Sequence, residues 1–408
     1  MANASRLIGV VAGCVVLMGA SCVFAQDWPQ WRGPNRDGKV TAFTAPQTWP
    51  KTLTQKWKIT VGTGDATPAL LGERLYVFTR QDDDETLLCL DAAEGKEQWK
   101  NAYAVQALTG PAARHPGPRS SPTVAEGKVV TLGVRGVLSC LDAADGKLAW
   151  RNDEFKAAPM FFVAMSPIVV DGTCIAHLGG KAAGAVVAFD LATGKPKWKW
   201  TGDAPAYSSP VLLTVDGTKQ LVVQAADNLV GLALADGKLL WQVATPAQFR
   251  FYNSATPIID GQTVIYTGQG RGTKAVKIEK QGDGFAAKEL WSNDKLGTGF
   301  NTPVLKDGLL FGLSDKGSLF CLNAGTGQTA WTDGATRKDS FGSVVDAGSV
   351  MLALPSNSPL IVYKPGGKEY EELAHYPVAA GPVYAHPLAS GKRIYVKDQA
   401  SLTLWTVE

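Results

Sequence analysis

The sequence predicts an all-β protein, a single eight-bladed β-propeller of four-stranded antiparallel blades. Three observations predict this fold. A motif of the form Asp-x-x-x-Gly-x-x-x-Trp recurs along the chain, runs of β-branched and aromatic residues lie before it, and no long segment has the 3.6-residue hydrophobic period of a helix. The 44 glycines and 23 prolines supply the turns that many short strands need.

The repeated motif predicts the outer half of each blade. Its copies return at intervals of roughly 40 to 50 residues, a spacing typical of propeller blades. We expect Asp-x-x-x-Gly to form the hairpin between the third and fourth strands, because Gly tolerates positive φ and Asp can bond its own backbone. The Trp then lies on the outer strand and packs between neighbouring blades. The copies are LDAAEGKEQW (90–99), LDAADGKLAW (141–150), FDLATGKPKW (189–198), LALADGKLLW (232–241) and LNAGTGQTAW (322–331).

A Ser-Pro or Thr-Pro pair predicts where each of the first six blades begins. Proline has no N–H and fits only the first residues of a strand, so each pair indicates the start of a first, innermost strand. The repeating unit is therefore a Pro-led strand, two middle strands and a Trp-bearing outer strand. The pairs are Thr67-Pro68, Ser121-Pro122, Ser166-Pro167, Ser209-Pro210, Thr256-Pro257 and Thr302-Pro303.

Eight runs have the character of third strands, and they set the number of blades. The last unit, which begins at His386-Pro387, ends at Glu408 without room for a fourth strand, while Trp57 stands before the first unit. We therefore expect residues 52–62 to complete the last blade and close the ring. Two units are degenerate: the fifth lacks the Asp-x-x-x-Gly turn, and the seventh has Ala374 where Trp is expected.

The first 25 residues predict a signal peptide. One arginine precedes an apolar run and a small-residue region, so we expect cleavage after Ala25 and a periplasmic or secreted protein. The run is too short for a good membrane span. Lipidation at Cys14 or Cys22 is the alternative. The predicted domains are thus the signal peptide (1–25), an N-terminal lead-in (26–51) and the propeller (52–408).

The remaining cysteines, the histidines and the overall charge indicate no metal site and no nucleic-acid partner. Cys89, Cys140 and Cys321 occupy equivalent positions in their repeats, where other repeats have Ala or Gly, so we expect them, and Cys174, to be buried and unbridged. The four histidines lack the short spacings of zinc ligands. A formal net charge of +3, with basic residues dispersed along the chain, does not favour nucleic acid.

The repeats over residues 28–408 resemble those of the PQQ-like (pyrroloquinoline-quinone-type) β-propeller family. That family contains quinone-dependent alcohol and sugar dehydrogenases. It also contains non-catalytic propellers related to the lipoprotein of the barrel-assembly machine, which are the closest in size and organisation. The stretch DWPQWRGPNRDG (27–38) resembles the lead-in of secreted members, and we expect it to form an apolar clasp across the propeller edge.

The eight segments that precede the inner strands are the candidate site, and we call them the mouth segments: 61–68, 114–122, 161–167, 205–210, 250–257, 299–303, 340–344 and 383–387. Pseudo-symmetry should bring them together at one mouth of the central channel, where aromatic walls with a few polar groups form a ligand site. The alternative is that they only plug the channel and satisfy backbone amides. The candidate residues are His115, Arg119, Phe162, Tyr207, Arg250, Tyr252, Asn253, Phe300, Asn301, Phe341, Tyr384 and His386.

Two functions are compatible with the sequence. The first is an exported, monomeric, non-catalytic scaffold, without cofactor or metal, that binds a protein or a small polar or glycan ligand, possible roles including cell-envelope assembly. The second, implied by the resemblance, is a dehydrogenase that uses PQQ with calcium and an Asp base. The scaffold is favoured because Asp65 is the only acidic residue in the mouth segments and no adjacent Cys-Cys pair is present.

Overall fold

A computed structural model describes residues 27–246, 252–338 and 340–408. The predicted signal peptide, with Cys14 and Cys22, lies outside these residues, and so does the candidate site residue Arg250. The described chain forms eight four-stranded antiparallel sheets, and one short 3-10 helix at Gly110–Arg114 interrupts the strands. The all-β, eight-bladed prediction is confirmed. Within the described part of the chain, no helix has the length and apolarity needed to cross a bilayer.

Strand β1 (Thr54–Thr60) precedes the first blade. The next four blades, in chain order, are β2–β5 (Ala69–Leu71, Arg74–Gln81, Asp84–Asp91, Glu97–Ala104), β6–β9 (Thr123–Ala125, Lys128–Leu132, Leu138–Asp142, Leu148–Asn152), β10–β13 (Ile168–Val170, Thr173–Leu178, Ala185–Asp190, Pro196–Trp200) and β14–β17 (Val211–Val215, Thr218–Gln224, Asn228–Ala233, Leu239–Ala244).

The second half of the ring follows the same order. Its blades are β18–β21 (Ile258–Asp260, Thr263–Gly268, Gly272–Gln281, Gly284–Asn293), β22–β25 (Val304–Lys306, Leu309–Leu313, Leu319–Asn323, Thr329–Thr332), β26–β29 (Gly342–Asp346, Met351–Pro355, Leu360–Tyr363, Glu372–Tyr376) and, for the last blade, β30–β32 (Leu388–Ser390, Arg393–Lys397, Ser401–Thr406) with β1.

The ends of the propeller chain meet in the eighth blade. Strand β1 pairs antiparallel with β32, and Trp57 lies opposite Leu404. The closure predicted from the orphan tryptophan is therefore confirmed. Because the last blade combines both ends of the ring, its hydrophobic cluster includes Leu402 and Leu404 together with residues of the first and seventh blades.

The outer-strand tryptophans join each blade to the next one. The Trp99 ring lies against the turn glycine of the following blade, Gly146, whose φ is +73°. A Cβ atom at Gly146 would lie 2.4 Å from Trp99 Cε3, so this position requires glycine twice over, for its φ and for the approach of the ring. The same contact joins Trp57 to Gly95, Trp150 to Gly194, Trp198 to Gly237 and Trp291 to Gly327.

The two degenerate repeats have different substitutes for this contact. The turn glycine of the fifth blade, Gly282, has no neighbour within 4 Å of a Cβ position, and the indole of Trp241 instead donates a 2.6 Å hydrogen bond to Gln220 Oε1 in its own blade. At the seventh blade, which lacks a tryptophan at Ala374, the lead-in supplies one. Trp49 packs 6.1 Å from the ring of Tyr376, whose hydroxyl donates to the carbonyl of Pro50.

The equivalent cysteines are small residues beneath these tryptophans. Cys89, Cys140 and Cys321 are buried, free and paired across the strands with Trp99, Trp150 and Trp331. Cys174 is likewise buried and free. The packing role predicted for the cysteines agrees with these positions, since a larger side chain would meet the neighbouring indole.

The lead-in lies inside the central channel, and the expectation of a clasp across the propeller edge is wrong for residues 27–44. The backbone of Trp28 bonds to Leu70 of β2 in both directions, at 2.7 and 2.9 Å. The chain then turns back, and Val40 donates to the carbonyl of Asp346 in β26. Inner strands have no further strand partner on their channel side, and the lead-in supplies hydrogen bonds there.

Candidate functional site

Hydrogen bonds tie together the starts of the inner strands from the second to the sixth blade, and another ties the eighth blade to the first. In each bond, the N–H of the residue before a proline donates to the Ser or Thr hydroxyl of the next blade. This contact satisfies the last free backbone donor before the proline. The observed bonds run from Ser121 to Ser166 (2.8 Å), Ser166 to Ser209 (2.9 Å), Ser209 to Thr256 (3.2 Å), Thr256 to Thr302 (2.9 Å) and His386 to Thr67 (2.9 Å).

The lead-in forms a floor beneath this level, and we define the channel floor as Trp31, Arg32, Arg36 and His386. The Trp31 indole donates to Thr256 Oγ1 at 3.2 Å, and its ring meets the His386 ring edge-on at 4.7 Å. Arg32 donates to the carbonyls of Thr302 and Pro303 in the sixth blade, and Arg36 to those of Ser166 and Pro167 in the third.

Aromatic side chains line one side of the mouth. The rings of Phe300 and Phe341 stack in parallel at 4.2 Å, and Phe341 meets Tyr384 edge-on at 5.4 Å. Tyr384 in turn meets His115 at 4.9 Å. These four residues come from the sixth, seventh, eighth and second blades, so the mouth segments do converge.

His115 and Asp65 form the ionisable pair of the mouth. His115 Nδ1 lies 2.7 Å from Asp65 Oδ2. The buried ammonium of Lys397 lies nearby and donates to the carbonyl of Gly64 at 2.6 Å. Burial lowers the pKa of Lys397 to about 8, while the charges of Asp65 and Asp398 oppose this shift. The pair therefore joins the mouth segment of the first blade to that of the second blade.

Arg119 connects the two sides of the mouth. Its guanidinium donates to the carbonyl of His115 at 3.0 Å and to the carbonyl of Phe161. Burial lowers the pKa of Arg119, and the nearby Asp65 carboxylate opposes the shift. Arg119 thus acts as a strut between the loops of the second and third blades, with its guanidinium held by two backbone oxygens.

A second aromatic group continues the wall from Phe161. Its ring meets Tyr252 edge-on at 5.3 Å, and Tyr252 meets Tyr207 at 5.8 Å. The Tyr207 hydroxyl accepts the N–H of Phe161, and the Tyr252 hydroxyl lies 3.6 Å from the sulfur of Met160. Side chains from all eight mouth segments therefore form one wall, from Phe300 round to Tyr252.

The side chains of three polar candidates point into the protein and are not available to a ligand at the mouth. The amide of Asn253 donates to the carbonyls of Ala225, Ala226 and Thr245. The amide of Asn301 donates to the carbonyls of Leu313 and Ser340. His386 is buried in the floor, where burial and then the charge of Arg32 lower its pKa to about 3.

Phe162 lies apart from this wall, and Phe161 takes the position that we expected of it. Phe162 has a φ of +64°, packs beside Leu108 and Val134, and lies under the guanidinium of Arg135 at 5.2 Å. The two phenylalanines are adjacent in the sequence, and nothing in the sequence pattern distinguishes them. Met160 and Lys397 were also missed, since neither belongs to a mouth segment.

Three large apolar side chains are exposed at the mouth. Met160 is 74% exposed, Phe300 38% and Phe341 36%. Beside Tyr207 and Tyr252, a cavity of about 990 Å³ opens between the third and fourth blades, and Lys181 lies on its wall. Aromatic and apolar walls with a few polar groups are typical of binding sites.

The mouth residues do not fit a calcium-held quinone. Calcium takes six to eight oxygen ligands, and Asp65, the acidic residue of the mouth segments, is already paired with His115. Across residues 27–246, 252–338 and 340–408, no group of three His, Cys, Asp or Glu side chains is placed to hold a metal ion.

Comparison with known proteins agrees with the repeat pattern. The profile of the family described as outer membrane protein assembly factor BamB matches residues 36–201 and 113–333. The chain is 25% identical over 279 residues to BamB of Yersinia pestis, which covers 63% of this chain and 67% of that protein. It is 24% identical over 365 residues to BamB of Bordetella pertussis, covering 87% and 77% of the two chains.

A shorter match links the chain to an oxidoreductase. It is 40% identical over 89 residues to the quinohemoprotein alcohol dehydrogenase ADH IIB of Pseudomonas putida, which is 20% of this chain and 12% of that enzyme. A match of this length covers about two blades.

Solved structures show the same fold at low sequence identity. BamB of Moraxella catarrhalis superimposes with a TM-score of 0.65 at 14% identity, covering 87% of this chain and 98% of that one. The quinohemoprotein alcohol dehydrogenase of Comamonas testosteroni gives 0.70 at 16% identity, covering 95% and 81%. The resemblance to PQQ-like propellers is confirmed, and, since the family profile spans more than half of its length, the chain belongs to the family of outer membrane protein assembly factor BamB.

Proposed function

We propose that this protein is an exported, non-catalytic factor that binds a protein partner at the channel mouth during assembly of outer-membrane proteins in the cell envelope. The observation that carries this proposal is which side chains of the mouth are engaged within the protein and which are exposed. The polar side chains of Asp65, His115 and Arg119 are held by other protein groups, while Met160, Phe300 and Phe341 expose apolar surface. Exposed apolar clusters mark surfaces that bind other molecules.

The arrangement of the ionisable groups supports binding without turnover. A general base must be free to reach a substrate proton. Asp65 is paired with His115, and His386 is buried beneath Trp31. Arg119 is occupied by two carbonyls. These groups stabilise the loops of the mouth, and the aromatic rings remain as the contact surface.

The second candidate is a PQQ-dependent alcohol or sugar dehydrogenase, and the 89-residue match to an alcohol dehydrogenase favours it. It ranks lower because the mouth supplies one carboxylate. Dye reduction by the purified protein with PQQ, calcium and an alcohol or aldose, lost in Asp65→Ala, would establish the dehydrogenase. We expect no dye reduction.

Export is the other part of the proposal. The signal peptide that the sequence predicts implies a mature chain that begins at Gln26. Mass spectrometry of the protein purified from its own cells tests this site. A lipid on Cys14 or Cys22 would replace a free periplasmic protein with a membrane-anchored one.

A complementation experiment tests the assembly function. We expect cells without the protein to contain less folded β-barrel protein in the outer membrane, and the unaltered protein to restore the amount. The mouth variant combines Met160→Ser, Phe300→Ser and Phe341→Ser. The matched control changes three exposed leucines of the outer strands, Leu148→Ser, Leu239→Ser and Leu290→Ser.

The expected result is restoration by the control variant and failure of the mouth variant, with both purified variants showing native circular dichroism. An unchanged amount of outer-membrane β-barrel protein in cells without the protein would contradict the proposed function. Restoration by the mouth variant would instead show that the partner binds at another surface of the protein.

A further inference from the structure

Two buried arginines of the channel floor have no acidic hydrogen-bond partner. Arg32 is 1% exposed and Arg36 4%. Arg32 donates to the carbonyls of Thr302, Pro303 and Asp37, and Arg36 to the carbonyls of Ser166 and Pro167 and to Gln30 Oε1. All of these acceptors are neutral oxygens. A buried charge needs compensation, because removing it from water costs several kcal/mol or more.

The nearest acidic group acts on only one of the two arginines. Burial lowers the pKa of Arg32 to about 10, and the charge of Asp37 opposes this shift. Burial alone lowers the pKa of Arg36 to about 9. Asp37 is itself engaged, since its Oδ1 accepts the backbone N–H of Lys39 at 3.1 Å. Positive charge therefore remains in the floor, above all at Arg36.

The same layer contains donors that no described protein atom accepts. They are the Nε–H groups of Arg32 and Arg36, the hydroxyl of Ser121 and the one N–H of the neutral His386 ring, all buried. Buried polar atoms almost always have a partner, so a group of unpartnered donors points to a bound species. These atoms differ from the other side chains of the layer, whose hydroxyls accept backbone N–H groups.

Shared contacts with Ser166 place two of these donors, those of Arg36 and Ser121, on the same side of the floor. Arg36 donates to the carbonyl of Ser166 at 2.9 Å, and the N–H of Ser121 donates to the hydroxyl of the same Ser166 at 2.8 Å. His386 packs on Trp31, which directly precedes Arg32 in the chain. The Ser121 hydroxyl and the Arg36 Nε–H therefore belong to one side of the floor.

We propose that a small inorganic anion of the halide class binds in the channel floor, where Arg36 Nε–H and the Ser121 hydroxyl donate to it and Arg32 adds positive potential. The buried position favours a small ion over an organic acid. A halide accepts several donors without a preferred direction and neutralises charge, whereas a water molecule would satisfy the donors and leave the charge. This proposal does not depend on the proposed function.

Thermal unfolding in two salts tests the proposal. Chloride is compared with gluconate, which is too large for the floor, at equal ionic strength. A ligand that binds the folded state raises Tm with its concentration. We expect Tm to rise with chloride along a saturable curve, and not with gluconate. Ser121→Ala should raise the chloride concentration at half-maximal effect by about tenfold, as for one lost hydrogen bond to a charged group.

Two arginine variants provide a matched comparison. Arg36→Gln should abolish the chloride dependence. Arg80→Gln should retain it, because Arg80 is also buried but has a carboxylate partner, Asp83, at 3.2 Å. Comparing the two variants separates the anion from the general cost of removing a buried arginine.

Bromide in crystals of the unaltered protein gives a reading that does not depend on any variant. We expect an anomalous peak within hydrogen-bond distance of Arg36 Nε and Ser121 Oγ. Equal Tm values in chloride and gluconate, together with no anomalous peak at the floor, would overturn the proposal and assign the site to water.

Discussion

At the scale of single residues, the contact between a tryptophan and a glycine explains why the motif ends as it does. The turn glycine has positive φ and lies under the indole of the preceding blade, as Gly146 lies under Trp99. A residue with a side chain would strain the turn and push the indole out of the seam between blades. The nine-residue motif from Asp to Trp thus has two functions, a turn within one blade and a contact with another.

A pair of glycine variants isolates this contact. Gly146 and Gly127 have similar φ values, +73° and +74°, but a Cβ at Gly127 has no neighbour within 4 Å. Gly127→Ala should cost about 1 kcal/mol for the left-handed backbone alone. Gly146→Ala should cost about 1–3 kcal/mol more, for the displaced indole. Urea unfolding of both variants measures the difference, and equal losses would show that the contact contributes nothing.

Buried histidines predict acid sensitivity. Burial lowers the pKa of His386 to about 3 and that of His177 to about 4, from 6.5 in both cases. Between pH 6.5 and these values the unfolded chain binds more protons, so stability falls as pH falls. Each histidine should cost about 2 kcal/mol by pH 5.

The pH dependence of urea unfolding tests this, with His386→Gln expected to lose about half of the decrease between pH 6.5 and 5. His375→Gln, at an exposed position, serves as the control and should leave the decrease unchanged. A His386→Gln protein with the full decrease would show that His386 is not the group responsible.

At the scale of elements, the blades were predictable and the lead-in was not. The strands follow from Ser/Thr-Pro, two apolar runs and the Asp-to-Trp motif, and even the closing strand followed from Trp57. The lead-in carries no repeat. Its position depends on hydrogen bonds to backbone carbonyls just before the inner strands, such as those of Thr302 and Ser166. That these carbonyls lack another donor cannot be read from the sequence, because it follows only from the closed ring of blades.

The same limit applies to the mouth. Its eight segments could be located because each precedes an inner strand. The direction of a side chain within a loop could not, so Asn253 and Asn301 turned out to serve backbone carbonyls, and Phe161 replaced Phe162. Loop orientation depends on contacts between blades, for which a single repeat gives no signal.

The lead-in should stabilise the ring from within. Arg32→Ala removes three hydrogen bonds from a guanidinium to carbonyls, at Thr302, Pro303 and Asp37. We expect a loss of about 3 kcal/mol, since it leaves buried carbonyls without donors. Arg393→Ala, which breaks an exposed ion pair with Glu73, should cost less than about 1 kcal/mol. Comparable losses in the two variants, measured by urea unfolding, would contradict a structural role for the floor.

At the scale of the whole molecule, the two ends of the channel differ. The lead-in enters beside the far end of β2, where Asp27 Oδ1 accepts the N–H of Gly72, and it closes the channel below the mouth. The mouth itself collects side chains from every blade and exposes apolar rings. The lead-in thus closes one end of the channel, and the other end remains for a partner.

The measurement that tests this account most directly is site-specific photocrosslinking in the cells of origin. A benzoyl-phenylalanine is placed at Met160, Phe300 or Phe341 of the mouth, and at Leu239 or Leu290 of the outer strands as the control. We expect adducts with proteins of outer-membrane assembly from the mouth positions and none from the outer strands. Adducts from the outer strands alone, or none from any position, would contradict the mouth as the partner-binding surface.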